Sequence, residues 1–413
     1  MSSEQSQTPS PSRSLGDALL RGVGTEVRRA LEKSLEGKEL SRNDLLVLLS
    51  TTGRELNALC TVADLAREED VGDEVSYVIN RNINSTNICY VGCSFCGFAR
   101  HKGDAEAYDR DLEEIVRRAK EGAELGASEV CIQAGIHPNK DGFWYRETIE
   151  GVKAALPDMH IHGCSPEEIH WGHEHSGGMT LEDYLRMLKE SGLGSIPGTA
   201  AEILDDEVRK VLSPRKLNVE RWIEIIRTAH SVGLPSSSTV MYGHIEKPEH
   251  IARHMEILRE IQKDTGGFTE FVPLGFIHSN TRLYQEQGAR AGASMPEDLR
   301  MIAVGRLFLR PWIRNIQVSW VKMGLKLSQS ALMSGANDFG GTLMEESISQ
   351  AAGSEHGDNV GVETLERLIR ELGRIPYERT TTYGRRVGRP DLKAEPQELL
   401  KQAPPAAGLG NGY

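Results

Sequence analysis

The chain has 413 residues, of which 38% are hydrophobic and 26% charged, and its formal net charge is −12. This is the composition of a globular protein that can bury a large core, and the acidic balance argues against a nucleic-acid partner, which needs a basic face. No apolar run reaches the roughly 18–20 residues of a membrane span, so we expect no membrane partner.

Cysteine use and the N-terminus predict the compartment. Three of the six cysteines cluster and three are scattered, which indicates metal binding in a reducing environment rather than a disulfide framework. Residues 1–14 are rich in Ser, Pro and Gln and lack the apolar core of a signal peptide. We therefore expect a cytoplasmic protein that begins with a disordered tail, and we expect a loose tail over 386–413.

Residues 15–75 predict a helical N-terminal extension. Leu19, Leu20, Val23, Val27 and Leu31 recur at helical spacing, and the polar residue at position 41 is a typical N-cap before a second apolar run. We expect these helices to cover one end of the domain that follows.

Residues 76–385 alternate short apolar runs with helical patterns. The predicted strands are 76–88, 129–133, 160–162, 194–197, 237–242, 268–273, 315–320 and, most weakly, 331–337. Helical patterns lie near 111–125, 143–155, 180–191, 219–232, 249–264, 296–309, 323–329 and 343–351. Eight strands that alternate with helices predict an α/β fold, a (β/α)8 TIM-type barrel. A partly open barrel is the alternative, because the first and last strands have the weakest patterns.

A cysteine motif directly follows the first predicted strand. Cys89, Cys93 and Cys96 form a C-x-x-x-C-x-x-C run, with Phe95 before the third cysteine. Three thiolates hold three corners of an iron–sulfur cube and leave one iron open for chemistry. The alternative is a structural zinc site with His101 as the fourth ligand, although no second cysteine pair is present.

Polar residues and glycines end most of the other predicted strands. Because the C-terminal ends of barrel strands carry the active site, we expect these residues to line one cavity with the cysteine loop. The stretches concerned are 133–138, 162–166, 197–202, 241–244, 270–274 and 337–341.

The cysteine spacing and the aromatic residue at position 95 resemble the radical S-adenosylmethionine (SAM) superfamily. The resemblance implies a 4Fe-4S cluster held by Cys89, Cys93 and Cys96, with SAM chelated to the open iron and cleaved by one electron to a 5′-deoxyadenosyl radical. It also implies a low-potential electron donor.

Further stretches resemble one subgroup of that superfamily, within which the chain is most similar to the FO synthase subunit 2 family. They are 129–138, 194–204, 237–244, 269–274, 340–346 and 353–357. The resemblance, over about residues 50–385, implies that the enzyme cleaves the Cα–Cβ bond of L-tyrosine. It then transfers the 4-hydroxybenzyl group to 5-amino-6-(D-ribitylamino)uracil in FO and coenzyme F-420 biosynthesis. A single cysteine triad implies one of two radical steps, with FO synthase subunit 1 as a separate downstream enzyme.

Three other functions stay open. One is an aminofutalosine synthase-like enzyme of menaquinone biosynthesis, which would share the fold, the cluster and the SAM site. The second is a zinc-containing barrel hydrolase or a protein with a structural metal, and the third is a scaffold that has lost SAM binding.

The resemblance also implies roles for single residues. Gln133 and Gly135 occupy the place of a Gly-Gly-Glu run that holds the SAM amino group, but here the acidic residue is missing and Ala134 stands between them. Glu202 is a candidate for the SAM ribose or amino group, and Arg221 for the SAM carboxylate, with a surface helix charge as the equal alternative for Arg221. The pool for tyrosine, uracil or catalysis is His162, Tyr242, His244, Glu270 and Asp338.

Overall fold

The computed structural model describes residues 20–386, so the predicted tail over 1–14 and all but the first residue of the tail over 386–413 lie outside the described residues. The chain begins with three helices, α1 (Thr25–Leu35), α2 (Arg42–Leu49) and α3 (Gly53–Val71). Ser41 caps α2 in a reciprocal capping box with Asp44, as the sequence predicts. Helix α3 packs along a later outer helix, so this layer covers one flank of the barrel.

The strands form a parallel ring. They are β1 (Glu74–Val78), β2 (Asn80–Asn84), β3 (Glu129–Gln133), β4 (His160–Gly163), β5 (Leu193–Ser195), β6 (Ser236–Tyr242), β7 (Phe268–Gly275) and β8 (Asp338–Gly341). Strands β1 and β2 are two halves of one strand, and β2, β3, β4 and β5 pair in that order. Strands β6 and β7 pair with each other.

Backbone hydrogen bonds join these sheets into one barrel. Ile196 links β5 to β6, because its N–H donates to Pro235 O at 3.0 Å and its carbonyl accepts from Ser237 N at 3.1 Å. Residues 315–318 act as the seventh strand, since Phe271 N donates to the carbonyl of residue 315 and Gln317 N donates back to Phe271 O at 3.0 Å.

Backbone hydrogen bonds also join the seventh strand to β8 and β8 to the first strand. Val318 N donates to Asp338 O at 3.0 Å, which joins the seventh strand to β8, and Thr342 N donates to Val78 O at 3.0 Å, which joins β8 to the first strand. The described barrel is therefore closed, and the (β/α)8 prediction is confirmed.

Helices surround the ring: α4 (Leu112–Glu124), α5 (Gly142–Ala155), α6 (Pro166–Glu174), α7 (Leu181–Glu190), α8 (Asp206–Leu212), α9 (Val219–Ser231), α10 (Pro248–Thr265), α11 (Arg282–Gln287), α12 (Met295–Leu309), α13 (Trp320–Leu332), α14 (Ser347–Ala351) and α15 (Val362–Arg370). Two large side chains, Trp222 and Trp320, are fully buried in the core between strands and helices. Along residues 20–386, every helix is too short or too polar to traverse a bilayer.

One predicted strand is wrong. The stretch 331–337 begins inside α13, and the strand starts only at Asp338. The apolar residues Ala331 and Leu332 belong to the buried face of the helix. The actual strand is short and glycine-rich, so it lacks the β-branched signal of a buried strand.

A feature that the sequence did not predict lies at the N-terminal end of the barrel. Strand β9 (Ile375–Glu378) pairs with β1 on the side away from the C-terminal strand ends, and the chain then turns under the ring. Arg379 enters the barrel interior, where its Nε lies 2.5 Å from an oxygen of Asp338, and both side chains are at most 4% exposed. The segment 379–386 therefore plugs the base of the barrel.

Candidate active site

A cavity of about 250 Å³ opens at the C-terminal ends of the strands. The segments that follow β2, β3, β4, β5, β7, the seventh strand and β8 contribute to it, together with the C-terminal end of β6, as the barrel architecture predicts. Its lining includes Cys89, Cys93, Cys96, Gln133, Ala134, Gly135, Ser165, Glu167, Glu168, Thr199, Ala200, Glu202, Lys216, Met241, Leu274, Lys322 and Ser349.

The cysteine loop is held by a backbone hydrogen bond to α8 and by one arginine. Ser94 N donates to Leu212 O at 2.8 Å, and the Arg100 guanidinium donates to three carbonyls, those of Gly97, Phe98 and residue 99, at 2.8–3.3 Å. Gly97 lies so close to α14 that a Cβ at this position would be 2.6 Å from a backbone carbonyl oxygen. The loop therefore has a defined shape rather than that of a free surface turn.

All three thiols line the cavity. Burial raises the pKa of Cys93 to about 12 and raises that of Cys96, with the ammonium of Lys216 opposing both shifts. Because metals bind the thiolate, binding at these sulfurs must release protons.

Two observations bear on which metal this loop could hold. The three thiols face one cavity and lie close enough to influence each other's charge, which fits the three-cysteine frame of an iron–sulfur cube. His101 is exposed and does not line the cavity, so the zinc alternative lacks its proposed fourth ligand.

The loop 133–135 packs directly on the cysteine loop. A Cβ on Gly135 would lie 2.6 Å from Ile88 O and 3.1 Å from the Cβ of Cys89, so only glycine fits here. Ala134 N donates to a carboxylate oxygen of Glu168 at 3.0 Å. Glu168, from the helix α6 that follows β4, thus brings a carboxylate to the 133–135 loop, which has no acidic residue of its own.

Glu168 is also the N3 residue of the α6 capping box. Its other oxygen accepts from Ser165 N at 2.8 Å and from the Ser165 hydroxyl at 2.6 Å. Burial raises the pKa of Glu168 to about 7, although these hydrogen bonds oppose the shift. The carboxylate therefore ties the 133–135 loop to α6 at the cavity wall.

Glu202 and Lys216 form an ion pair in the cavity wall. Lys216 Nζ lies 2.7 Å from Glu202 Oε1, both side chains are 12% exposed, and the ammonium lies 5.5 Å from the ring centre of Phe95. Burial alone would lower the pKa of Lys216, but Glu202 and Cys93 hold it above its ordinary value. Glu202 also has a φ of 45°, a strained backbone of the kind that clusters at functional sites.

The structure places Arg221 away from the cavity lining. Its guanidinium lies between α9 and α6, 2.7 Å from Glu224 and 2.8 Å from Nδ1 of His173. This position supports the alternative interpretation, in which Arg221 is a charge of the helix layer. Lys216, five residues earlier, is the cation of this region that reaches the cavity.

Tyr242 and His244 also point away from the cavity. Residues alternate along β6, and because Met241 faces inward, Tyr242 faces outward and donates its hydroxyl to Asp298 at 2.6 Å. His244 folds back into its own turn, with Nε2–H donating to Met241 O at 3.0 Å. Both side chains stabilise the end of β6.

His162, Glu270 and Asp338 lie inside the barrel but below the cavity lining. His162 Nδ1 lies 2.7 Å from the Ser195 hydroxyl, and burial lowers its pKa to about 4. Burial raises the pKa of Glu270 to about 7, while Arg379 opposes the shift. Asp338 is bound by Arg379 at the base. They form a polar interior beneath the site rather than its wall.

The residues that sequence reasoning missed are Glu167, Glu168, Lys216 and Lys322. The first two follow Ser165-Pro166 in the first turn of α6, and capping-box spacing marks Glu168. Lys216 and Lys322 carry no local motif, and only the folded chain shows that they face the cavity.

Comparisons with known proteins agree with this geometry. The family model described as the radical SAM superfamily matches residues 83–258, and the model for the CofH/MqnC C-terminal region matches residues 265–390. The 5-amino-6-(D-ribitylamino)uracil–L-tyrosine 4-hydroxyphenyl transferase of Methanothermobacter thermautotrophicus is 47% identical over 361 residues, 87% of this chain and 98% of that protein. The FO synthase of Nocardia farcinica is 50% identical over 88% of this chain but only 42% of its own length.

Solved structures share the fold. Methylornithine synthase (PylB) matches with a TM-score of 0.65 at 20% identity, covering 84% of this chain and 97% of PylB. The FeFe-hydrogenase maturase HydG from Carboxydothermus hydrogenoformans matches with a TM-score of 0.68 at 16% identity, covering 90% and 84%. At these identities the likeness shows the barrel alone.

Proposed function

Because this chain belongs to the radical SAM family of 5-amino-6-(D-ribitylamino)uracil–L-tyrosine 4-hydroxyphenyl transferases, we propose that it transfers the 4-hydroxybenzyl group of L-tyrosine to that aminouracil. The single observation that carries the proposal is the convergence of Cys89, Cys93 and Cys96 with the loop 133–135 on one barrel-top cavity. The expected product is an intermediate of FO and coenzyme F-420 biosynthesis.

The cavity residues fit the two cofactors of the family. Cys89, Cys93 and Cys96 would hold the 4Fe-4S cluster, and when bound, the cluster and SAM supply the hydrogen-atom abstraction that starts tyrosine cleavage. The backbone at Gln133 and Gly135 would receive the SAM amino group, with the Glu168 carboxylate behind it. The Glu202–Lys216 pair would contact SAM on the other side.

The apolar part of the wall would keep water away from the reacting atoms once the substrates fill the cavity. Val91, Phe98, Ile136, Leu274 and Phe276 line the cavity between the polar groups. A carbon-centred radical attacks nearby C–H bonds indiscriminately, so a dry, close-fitting site limits side reactions. The polar groups are then left to orient the substrates.

Three further parts of the proposal concern partners and location. The single cysteine triad, and the 42% share of FO synthases that the chain matches, support a separate enzyme that completes the ring. A low-potential electron donor is required because SAM cleavage consumes one electron. A cytoplasmic location is supported by six free cysteines at residues 60–164, as expected in a reducing compartment.

The test is anaerobic reconstitution with iron and sulfide, followed by incubation with dithionite, SAM, L-tyrosine and 5-amino-6-(D-ribitylamino)uracil. Mass spectrometry should detect the 4-hydroxybenzyl adduct and 5′-deoxyadenosine, with the Cys93→Ala protein as the matched blank.

Other outcomes of this experiment contradict the proposal. 5′-Deoxyadenosine without the adduct would point to another substrate, as in an aminofutalosine synthase-like enzyme. A colourless, iron-free protein that binds zinc would point to a metal hydrolase or a structural metal site.

A further inference from the structure

Two lysines line the cavity, and they differ in their partners. Lys216 is paired with Glu202. Lys322 forms no ion pair within the described part of the chain, and its Nζ donates one hydrogen bond, at 3.1 Å, to the Ser349 hydroxyl. An ammonium group has three donors, so Lys322 retains capacity for an anionic ligand.

The fold aims Lys322 at the cavity. It lies in the first turn of α13, directly after the seventh strand, and Gly324 breaks the helix there with a φ of 77°. A Cβ at Gly324 would lie 3.0 Å from the ring of His356, so the kink is packed in place. Residues 320–323 are thereby set apart from the rest of the helix.

The surroundings of Lys322 do not neutralise it. Glu346 and Glu202 exert the main negative charge on Lys322, but neither forms an ion pair with it, and both oxygens of Glu346 accept from Ser349 N at 3.0–3.1 Å as the cap of α14. Burial lowers the pKa of Lys322, and these two carboxylates only partly oppose the shift. A half-buried ammonium without a counter-ion costs free energy unless a ligand supplies the charge.

The charges of the reactants limit which ligand that is. The aminouracil is neutral, so carboxylates come only from tyrosine and from the methionine part of SAM. The groups assigned to the cluster and SAM follow β2, β3 and β5, and there the cation is Lys216, close to Cys93. Lys322 follows the seventh strand, at a different point of the ring, although its charge still reaches Glu202.

We propose that Lys322 is the substrate-binding residue that receives the carboxylate of L-tyrosine. This inference rests on the proposed function, since it takes tyrosine as the substrate. A contact between the ammonium and the carboxylate fixes the amino-acid end of tyrosine and leaves the phenol to reach along the apolar wall. Charge-assisted hydrogen bonds of this kind also select against analogues that lack the anion.

The test compares tyrosine with tyramine, which lacks only the carboxylate. Both are titrated by equilibrium dialysis into cluster-loaded enzyme saturated with SAM, without reductant so that SAM stays intact. The variants are Lys322→Met, which keeps the unbranched stem but removes the ammonium, and Lys326→Met, the matched control on the exposed side of the same helix.

In the wild-type enzyme and in Lys326→Met, tyrosine should bind about 10- to 100-fold more tightly than tyramine, the range expected for one hydrogen bond to a charged group. In Lys322→Met the two ligands should bind equally, with tyrosine weakened and tyramine unchanged. Cluster absorbance and the Kd of SAM should stay at their wild-type values, which shows that the fold and the cofactor site are intact.

Each result that contradicts the inference has a different meaning. If Lys322→Met keeps the wild-type preference for tyrosine over tyramine, the inference is wrong. If the variant weakens SAM instead, Lys322 belongs to the SAM carboxylate. If wild-type enzyme binds no tyrosine and forms no adduct, the proposed function fails and the inference fails with it, whereas adduct formation with an unchanged preference overturns the inference alone.

Discussion

Arg379 is the cation of the barrel base, and its removal tests how the polar interior is held. Its guanidinium lies 2.5 Å from Asp338 and 4.1 Å from the ring centre of Tyr383, and its charge also reaches Glu129 and Glu270. Arg379→Met keeps an unbranched apolar stem but leaves the buried Asp338 carboxylate without its cation. Breaking a buried ion pair in this way costs about 3–5 kcal/mol of unfolding free energy.

Arg385→Met is the matched control for this change. Arg385 lies in the same segment and pairs with Glu74, but their side chains are 53% and 43% exposed. A surface pair contributes about 0–1 kcal/mol, so this variant should lose little. Urea unfolding followed by circular dichroism and tryptophan fluorescence measures both, and the double variant Arg379→Met/Asp338→Asn should be more stable than Arg379→Met alone.

The pH dependence of the loss has a defined sign. Burial raises the pKa of Glu270 from 4.5 to about 7 while Arg379 opposes the shift, so removing Arg379 raises this pKa further. A carboxyl whose pKa is higher in the folded state binds its proton more tightly there, and the associated stability is lost as pH rises from 4.5 through the folded value. Arg379→Met should therefore lose less stability at pH 5.5 than at pH 8. Equal losses for Arg379→Met and Arg385→Met, or a loss that grows in acid, would refute the reasoning.

Three other predictions address the cavity and its supports. Cys93→Ala should leave the barrel folded by circular dichroism but abolish SAM cleavage, and cleavage with intact cluster absorbance would contradict the ligand role. Lys216→Met removes a positive charge beside Cys93, so the cluster's reduction potential in an EPR-monitored titration should become more negative; an unchanged potential would count against this placement. His254 accepts from Leu204 N and donates to Thr239 O, and burial lowers its pKa from 6.5 to about 3. A depressed histidine pKa makes the folded state lose stability as pH falls below 6.5, by about 2 kcal/mol between pH 7 and pH 5. His254→Gln, which keeps one donor and one acceptor, should show a pH dependence of urea unfolding that is weaker by that amount; parallel curves for the two proteins would exclude the effect.

The strands that could be predicted are those with a strong local pattern. Glu129–Gln133 forms over the predicted residues because a β-branched, apolar run is flanked by polar turns. The last strand could not be found, because its glycine-rich stretch Asp338–Gly341 gives a weak strand pattern and is held by pairing with β1 on one side and the seventh strand on the other. The plug at Arg379 depends on a partner 41 residues away, for which the sequence carries no local signal.

Local sequence patterns also fail to predict which single side chains face the cavity. The cysteine loop and Glu202 could be identified because motif and strand end coincide there. The sequence favoured Tyr242 as a site residue, but the pleat of β6 turns its neighbour Met241 to the cavity instead. Lys216 and Lys322 reach the site from loop and helix positions whose direction only tertiary packing determines.

The position of Arg379 also has a consequence for how the protein is made. Ribosomes deliver the chain from its N-terminus at about 5–20 residues per second, so all strands of the ring emerge before Arg379 does. Until then the acidic groups inside, Glu129, Glu270 and Asp338, lack their buried cation. The base of the nascent barrel therefore lacks its plug. A truncated chain that ends before Arg379 would leave the acidic groups of the interior without their cation.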